Sequence, residues 1–119
     1  MAISKQEREF AAYLVDLLQG MGLVYSKSMF GGFGLFLDGL MFGLVADSEL
    51  YLKVDSENLS EFEELGLQPF TYNKQGKPMN LSYYQAPEES MEDNQLLVIW
   101  GNSGFGAALR AASKKSKKK

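Results

Sequence analysis

Met29 to Asp55 reads MFGGFGLFLDGLMFGLVADSELYLKVD, and how this stretch folds decides the architecture. Its first eighteen residues, Met29 to Ala46, are nearly all apolar or glycine, with Asp38 as the single charge. A membrane helix, a glycine loop around phosphate, or a pair of strands could each hold such a run. The membrane helix would place Asp38 near the bilayer centre at a cost of about 2.5–3.5 kcal/mol. It would also carry Gly31, Gly32, Gly34, Gly39 and Gly43. The phosphate loop fails on spacing, because neither G-x-G-x-x-G nor G-x-x-x-x-G-K-[ST] can be laid on these glycines.

A hairpin explains more. Asp38-Gly39 between β-forming apolar residues is a strong short-range hairpin signal. A two-residue loop there pairs Leu37 with Leu40, Leu35 with Phe42 and Phe33 with Leu44 on one face. The other face receives Phe36 with Met41, Gly34 with Gly43 and Gly32 with Val45. Glycine opposite glycine would leave a trough, into which a helix, another backbone or a ligand could settle.

ELYLKVD, Glu49 to Asp55, reads as a third strand, with Leu50, Leu52 and Val54 on one side and Tyr51 and Lys53 on the other. The turn through Ala46-Asp47-Ser48 decides which face they join. A three-residue loop, the expectation here, adds the three aliphatics to the Phe33/Leu35 face and leaves Tyr51 and Lys53 solvent-facing beside the trough.

Working outward, Ser4-Lys5-Gln6-Glu7 fits a capping box that opens a helix. Phe10, Leu14, Leu17, Leu18 and Met21 form its buried stripe, and Gly20 and Gly22 offer its stop. Asp55 or Ser56 caps a short helix through Leu59, Phe62 and Leu65, whose outer face carries Glu57, Glu61, Glu63 and Glu64. After Pro69 comes a second hairpin, Phe70 to Tyr72 and Met79 to Tyr84, around Gly76. Pro87 opens a helix that buries Met91, Leu96, Leu97 and Trp100. Gly101, Gly104 and Gly106 cost about 1 kcal/mol each relative to alanine in a helix, which predicts a break near Gly101–Gly104. A last short helix then runs from Ala107 into a lysine tail. The sum is an α+β domain over residues 1–113: an antiparallel sheet of about five strands, a three-stranded meander plus a hairpin, with packed N- and C-terminal helices. Residues 114–119 are expected to be a basic disordered tail.

A chain of 119 residues supports one core. It has no cysteine and no histidine, which removes disulfides, thiolate chemistry, zinc fingers and imidazole catalysis. Paired acids such as Glu57/Glu61 and Glu88/Glu92 lie on exposed helix faces, where nothing tunes them for proton transfer. No EF-hand run occurs. No catalytic, cofactor or metal residue is therefore expected.

The N-terminus MAISKQEREF has charges where an export signal needs an apolar core, so a cytoplasmic protein without membrane contact is expected. Residues 1–113 hold seven basic against fifteen acidic side chains, a balance of −8. Such a body suits phosphate backbones poorly. Lys114, Lys115, Lys117, Lys118 and Lys119 are the candidate phosphate contacts, and they make weak DNA binding through the tail an alternative function. A small-ligand domain using the trough is another.

The order of these features resembles the N-terminal domain of the TfoX/Sxy family of bacterial competence regulators. The resemblance covers roughly residues 8–113. Its most specific parts are Met29-Phe30-Gly31-Gly32, the Asp38-Gly39 turn with Met41-Phe42-Gly43, Leu50-Tyr51-Leu52-Lys53, and Met79-x-x-Ser82-Tyr83-Tyr84. It implies an α+β domain, cytoplasmic and non-enzymatic, that serves transcription. Full-length members add a helical C-terminal domain and act as co-activators beside a cyclic-AMP receptor protein. The expected function is a protein-interaction module, with transcription machinery or a cyclic-AMP receptor type activator as partner. Its candidate surface is Lys27, Met29, Phe30, Gly31, Gly32, Tyr51 and Lys53. An uncovered edge strand would also invite homodimer pairing.

Overall fold

The computed structural model describes residues 5–29, 32–74 and 76–117. Helix α1 (Lys5–Leu17) tightens into a 3-10 turn, Leu18–Met21, and leads to six strands. These are β1 (Tyr25–Met29), β2 (Gly32–Leu37), β3 (Leu40–Ala46), β4 (Glu49–Lys53), β5 (Pro69–Lys74) and β6 (Lys77–Gln85). Helix α2 (Leu59–Glu64) interrupts them after β4, and a 3-10 turn, Glu88–Glu92, precedes helix α3 (Asn94–Lys117). The sheet is antiparallel throughout, in the order β1-β2-β3-β4-β6-β5. It is the expected α+β fold with one strand more than expected. The extra strand is β1, whose polar sequence YSKSM gives no apolar alternation; it lies exposed at the edge.

The Asp38-Gly39 hairpin forms as expected, both residues taking positive φ (52° and 79°) as a type I′ turn requires. Leu37 pairs with Leu40 and Phe36 with Met41. Beyond them the expected register fails. Phe42 bulges out of β3, so Leu35 faces Gly43, Gly34 faces Leu44 and Phe33 faces Val45. Gly34 and Gly43 thus sit on opposite faces, and the trough does not form. The next turn also departs from expectation: Asp47 and Ser48, at φ 51° and 60°, make a two-residue loop and Ala46 pairs with Glu49. One extra residue in the bulge and one fewer in the turn cancel. Leu50 and Leu52 therefore still join Phe33, Leu35 and Val45, and Tyr51 and Lys53 take the other face.

That first face carries the core. Leu14 and Leu18 from the N-terminal helix, Phe62 from α2, and Leu97 and Ala108 from α3 pack with Leu35, Phe42, Val45, Leu50 and Leu52. All three helices are thus on one side of the sheet, an arrangement that antiparallel sheets tolerate because the other side can face solvent or a partner.

Two helix expectations need correction. The final helix begins later than Pro87, capped by the Asp93 carboxylate, which accepts the amides of Gln95 and Leu96 at 3.1 and 3.2 Å. It also runs unbroken through Gly101 and Gly104 and continues to Lys117, into the segment expected to be a disordered tail. The glycines are contact points. A Cβ on Gly104 would lie 3.0 Å from the Phe42 carbonyl oxygen and 3.3 Å from the Leu52 Cβ, so the bare backbone lets α3 press onto the sheet. Tertiary packing outweighs the propensity cost.

A polar network fastens α2 to α3. The side chain of Asn58, 3% exposed, accepts the Asp55 amide at 2.7 Å and donates to the Lys53 carbonyl, the Ser103 carbonyl and the Ser103 hydroxyl, each at 3.1 Å. At the other end of the fold, Ser48 donates its amide to the buried carboxylate of Glu7 at 2.9 Å, tying α1 to the β3-β4 turn. The Ser4 half of the expected capping box lies outside the described residues.

Candidate interaction surface

The sheet face away from the helices is built from the alternate residues of each strand. One row crosses five strands: Lys27, Gly34, Leu44, Tyr51 and Gln85. A neighbouring row holds Tyr25, Phe36 and Met41, and Lys53 is paired with Tyr83. Most of these side chains are apolar or aromatic; at one end Ala108, Ala111 and Ala112 of α3 border a hollow with Met41, Lys53 and Tyr83, and the core cluster that gathers residues of all three helices lies on the other face.

Local contacts give the face its texture. Tyr25 and Phe36 stack with centroids 5.5 Å apart and planes 14° from parallel. The Lys27 ammonium stands 5.2 Å from the Phe36 centroid and 6.0 Å from that of Tyr25. The Lys53 ammonium stands 5.1 Å from the Tyr83 ring. Each lysine thus lays its stem along an aromatic and keeps its charge available above it. Tyr51 meets Phe70 edge-on at 5.0 Å. Over Gly34, the space a side chain would fill is taken by Met29, Phe36 and Met41, whose atoms lie 3.0–3.1 Å from a built Cβ. The position expected to open into a trough is therefore packed, and a ligand has no cavity there.

Two tyrosines have displaced acidities. Burial pushes the Tyr83 hydroxyl up to about 12, and it donates to the Met41 carbonyl at 3.4 Å. Tyr51 is raised by burial first and by the charges of Glu49 and Asp47 second. Both therefore stay neutral donors at physiological pH, unsuited to act as bases.

The expected surface residues are brought together in part. Lys27 and Met29 lie on β1, with Tyr51 and Lys53 on β4, about 14 Å away at the usual strand spacing. Gly32 is buried: a Cβ there would fall 2.1 Å from the Val45 carbonyl oxygen, so it presents backbone only. Phe30 and Gly31 lie outside the described residues. Tyr25, Phe36 and Met41 belong to the same face; the hairpin reading puts Phe36 and Met41 there without counting them in the candidate surface, and Tyr25 is missed because the polar β1 gives no strand signal. Of the tail lysines, Lys114 is exposed on α3. The side chains of Lys115 and Lys117, and all of Lys118 and Lys119, lie outside the description.

Elsewhere, a cavity of about 400 Å³ lies between Phe10, Leu50, Leu67 and Met91, with Glu49 and Glu88 at its border. Among the described residues, no group of three or more acidic side chains could hold a metal, and no helix is long and apolar enough to cross a membrane.

Residues 16–108 match the family described as TfoX N-terminal domain. The chain belongs to that family. It is 33% identical over 103 residues to the DNA transformation protein TfoX1 of Aliivibrio fischeri, covering 86% of this chain and 49% of that one. Protein Sxy of Escherichia coli is 32% identical over 99 residues, covering 82% of this chain and 47% of its own length. The DNA transformation protein TfoX of Haemophilus influenzae is 32% identical over 98 residues, with 81% and 44% covered. The chain spans about half the length of the relatives it matches. Its TfoX N-terminal region includes both Asp38-Gly39 and the strand residues of the outer face.

Proposed function

We propose that this TfoX N-terminal domain is a non-enzymatic protein-interaction module of the kind that serves competence regulators, and that the outer sheet face is its contact surface. The observation that carries the reading is the composition of that face. Met29, Met41, Tyr51 and Phe36 supply adaptable apolar area, and Lys27 and Lys53 add charge held over aromatic rings. Methionine and aromatic residues are enriched where protein surfaces meet, because they bury large area with few rotamers or with soft ones. A partner with an apolar centre and acidic margin fits.

The names of two of the relatives, from Aliivibrio fischeri and Haemophilus influenzae, associate them with DNA transformation, and the partner class proposed here is a transcription activator of the cyclic-AMP receptor type. Among the described residues none is tuned for turnover: the Tyr51 and Tyr83 hydroxyls are weaker acids than usual and stay neutral, and the sequence has no histidine or cysteine. The test immobilises a purified cyclic-AMP receptor type activator and measures retention of this domain. Retention should fall when Tyr51→Ala and Lys53→Ala are combined, and fall further with Lys27→Glu. Retention unchanged in both the double and the triple variant would refute this face as the contact.

A further inference from the structure

A second surface lies on the opposite side of the molecule, between α2 and α3. Two depressions of about 390 and 350 Å³ share Glu61, Ile99 and Ser103 and so form one groove. Its floor is α3, from Ile99 and Trp100 to Gly106 and Arg110, and its wall is Glu57, Glu61 and Glu64. One end of the groove is apolar and open to solvent, with Ile99 64% exposed and Leu65, just past α2, 52% exposed beside Trp100; towards Arg110 the floor turns polar, with Asn102, Ser103 and Gly106. The one basic lining residue, Arg110, is already engaged by Asp55 and lies 3.6 Å from Glu57. The charge left facing the groove is acidic.

We propose that this groove docks a basic amphipathic helix of a partner protein. The length fits, since Ile99 to Arg110 spans about 16 Å, three turns of a bound helix. The chemistry fits as well. Helix-in-groove recognition sets apolar anchors one turn apart into an apolar floor, here the end formed by Leu65, Ile99 and Trp100, while the next turn of the bound helix runs over Asn102 and Ser103. Lysine or arginine on the flank of that helix meets Glu61 and Glu64, which stand one helical turn apart. This site is separate from the sheet face and does not depend on it.

Trp100 is the only tryptophan and lines the groove, packed edge-on against Phe62 at 5.0 Å, so its emission reports occupancy. The probe is a tryptophan-free helical peptide with leucines at the anchor positions and lysines beside them, compared with its glutamate counterpart. The lysine peptide should shift Trp100 emission saturably, and the glutamate peptide should not. Glu61→Lys with Glu64→Lys should weaken binding about tenfold. Glu63→Lys with Glu88→Lys, an equal change of net charge outside the groove, should alter it by less than about twofold. Ile99→Asp, at an exposed position that leaves the core intact, should weaken it as the lining pair does. Equal losses in the lining and control pairs, equal binding of the glutamate peptide, or an unmoved Trp100 would overturn the proposal. So would tighter binding of a peptide copying residues 107–119, which would make a second copy of this chain the occupant.

Discussion

Arg110 near the end of α3 grips Asp55 after β4 with two hydrogen bonds, Nε to Oδ2 at 2.5 Å and Nη2 to Oδ1 at 2.9 Å. The guanidinium, helped by the Glu57 and Asn58 amides, pulls the Asp55 carboxyl down to about 2 against burial, which opposes it. A depressed carboxyl stabilises the fold above its unfolded value near 4, and that contribution is lost as pH falls from there towards 2. With both side chains partly exposed, solvent reduces the effect to roughly 1–2 kcal/mol. Urea unfolding between pH 2 and 7 should show wild-type stability falling below pH 4, and Asp55→Asn should flatten that segment while lowering stability at pH 7.

Asn58 offers a sharper test of the same corner. Its amide nitrogen serves Lys53 and Ser103, and its carbonyl serves Asp55, all from a buried position. Asn58→Ala removes the acceptor of the Asp55 amide and the donor shared by the Lys53 and Ser103 carbonyls, and should cost about 1–3 kcal/mol in chemical denaturation. Asn58→Asp keeps the shape but sets a carboxylate against those carbonyl oxygens, so its loss should exceed that of alanine at pH 7 and shrink as the group is protonated in acid.

Much of the fold was legible because its signals were local. Asp38-Gly39 announced a hairpin, and Leu50, Leu52 and Val54 announced a core-facing strand. The Phe42 bulge was not legible, since every residue around it is apolar or glycine and a slipped register buries about as much as an unslipped one. The loop Asp47-Ser48 was misjudged because neither residue is glycine, although aspartate tolerates left-handed backbone. The two departures offset each other, so the side of the sheet assigned to Tyr51 and Lys53 was right for incomplete reasons. The Asn58 and Arg110 partnerships join positions 45 and 55 residues apart and leave no trace in spacing. The unbroken α3 was missed because propensity penalises Gly101 and Gly104, whereas their worth lies in what they touch.

Gly32 tests the register directly. Its built Cβ falls 2.1 Å from the Val45 carbonyl oxygen, a backbone atom of the neighbouring strand that cannot swing aside. Gly32→Ala should destabilise the domain by roughly 1–3 kcal/mol, as overpacking does. Gly39→Ala meets no atom within 4 Å and carries only the penalty of φ 79°, so it should cost about 1 kcal/mol. Thermal melts of the two variants side by side, with Gly32→Ala the lower, check the bulged pairing of β2 with β3.

Deleting residues 114–119 separates the lysine tail from the fold. Among the described side chains of α3 the last buried one is Ala108, and Ser113 and Lys114 are exposed, so the truncated chain should melt within about 2 °C of the full one. The deletion removes five lysines and takes the formal net charge from −3 to −8. At about 50 mM salt the full chain should be retained weakly on duplex DNA without sequence preference, and by about 200 mM that retention should vanish, as counterion release requires. The truncated chain should show none at either salt, because its remaining charge repels phosphate. Salt-resistant retention, or retention that survives the deletion, would place nucleic-acid contact on the folded body instead.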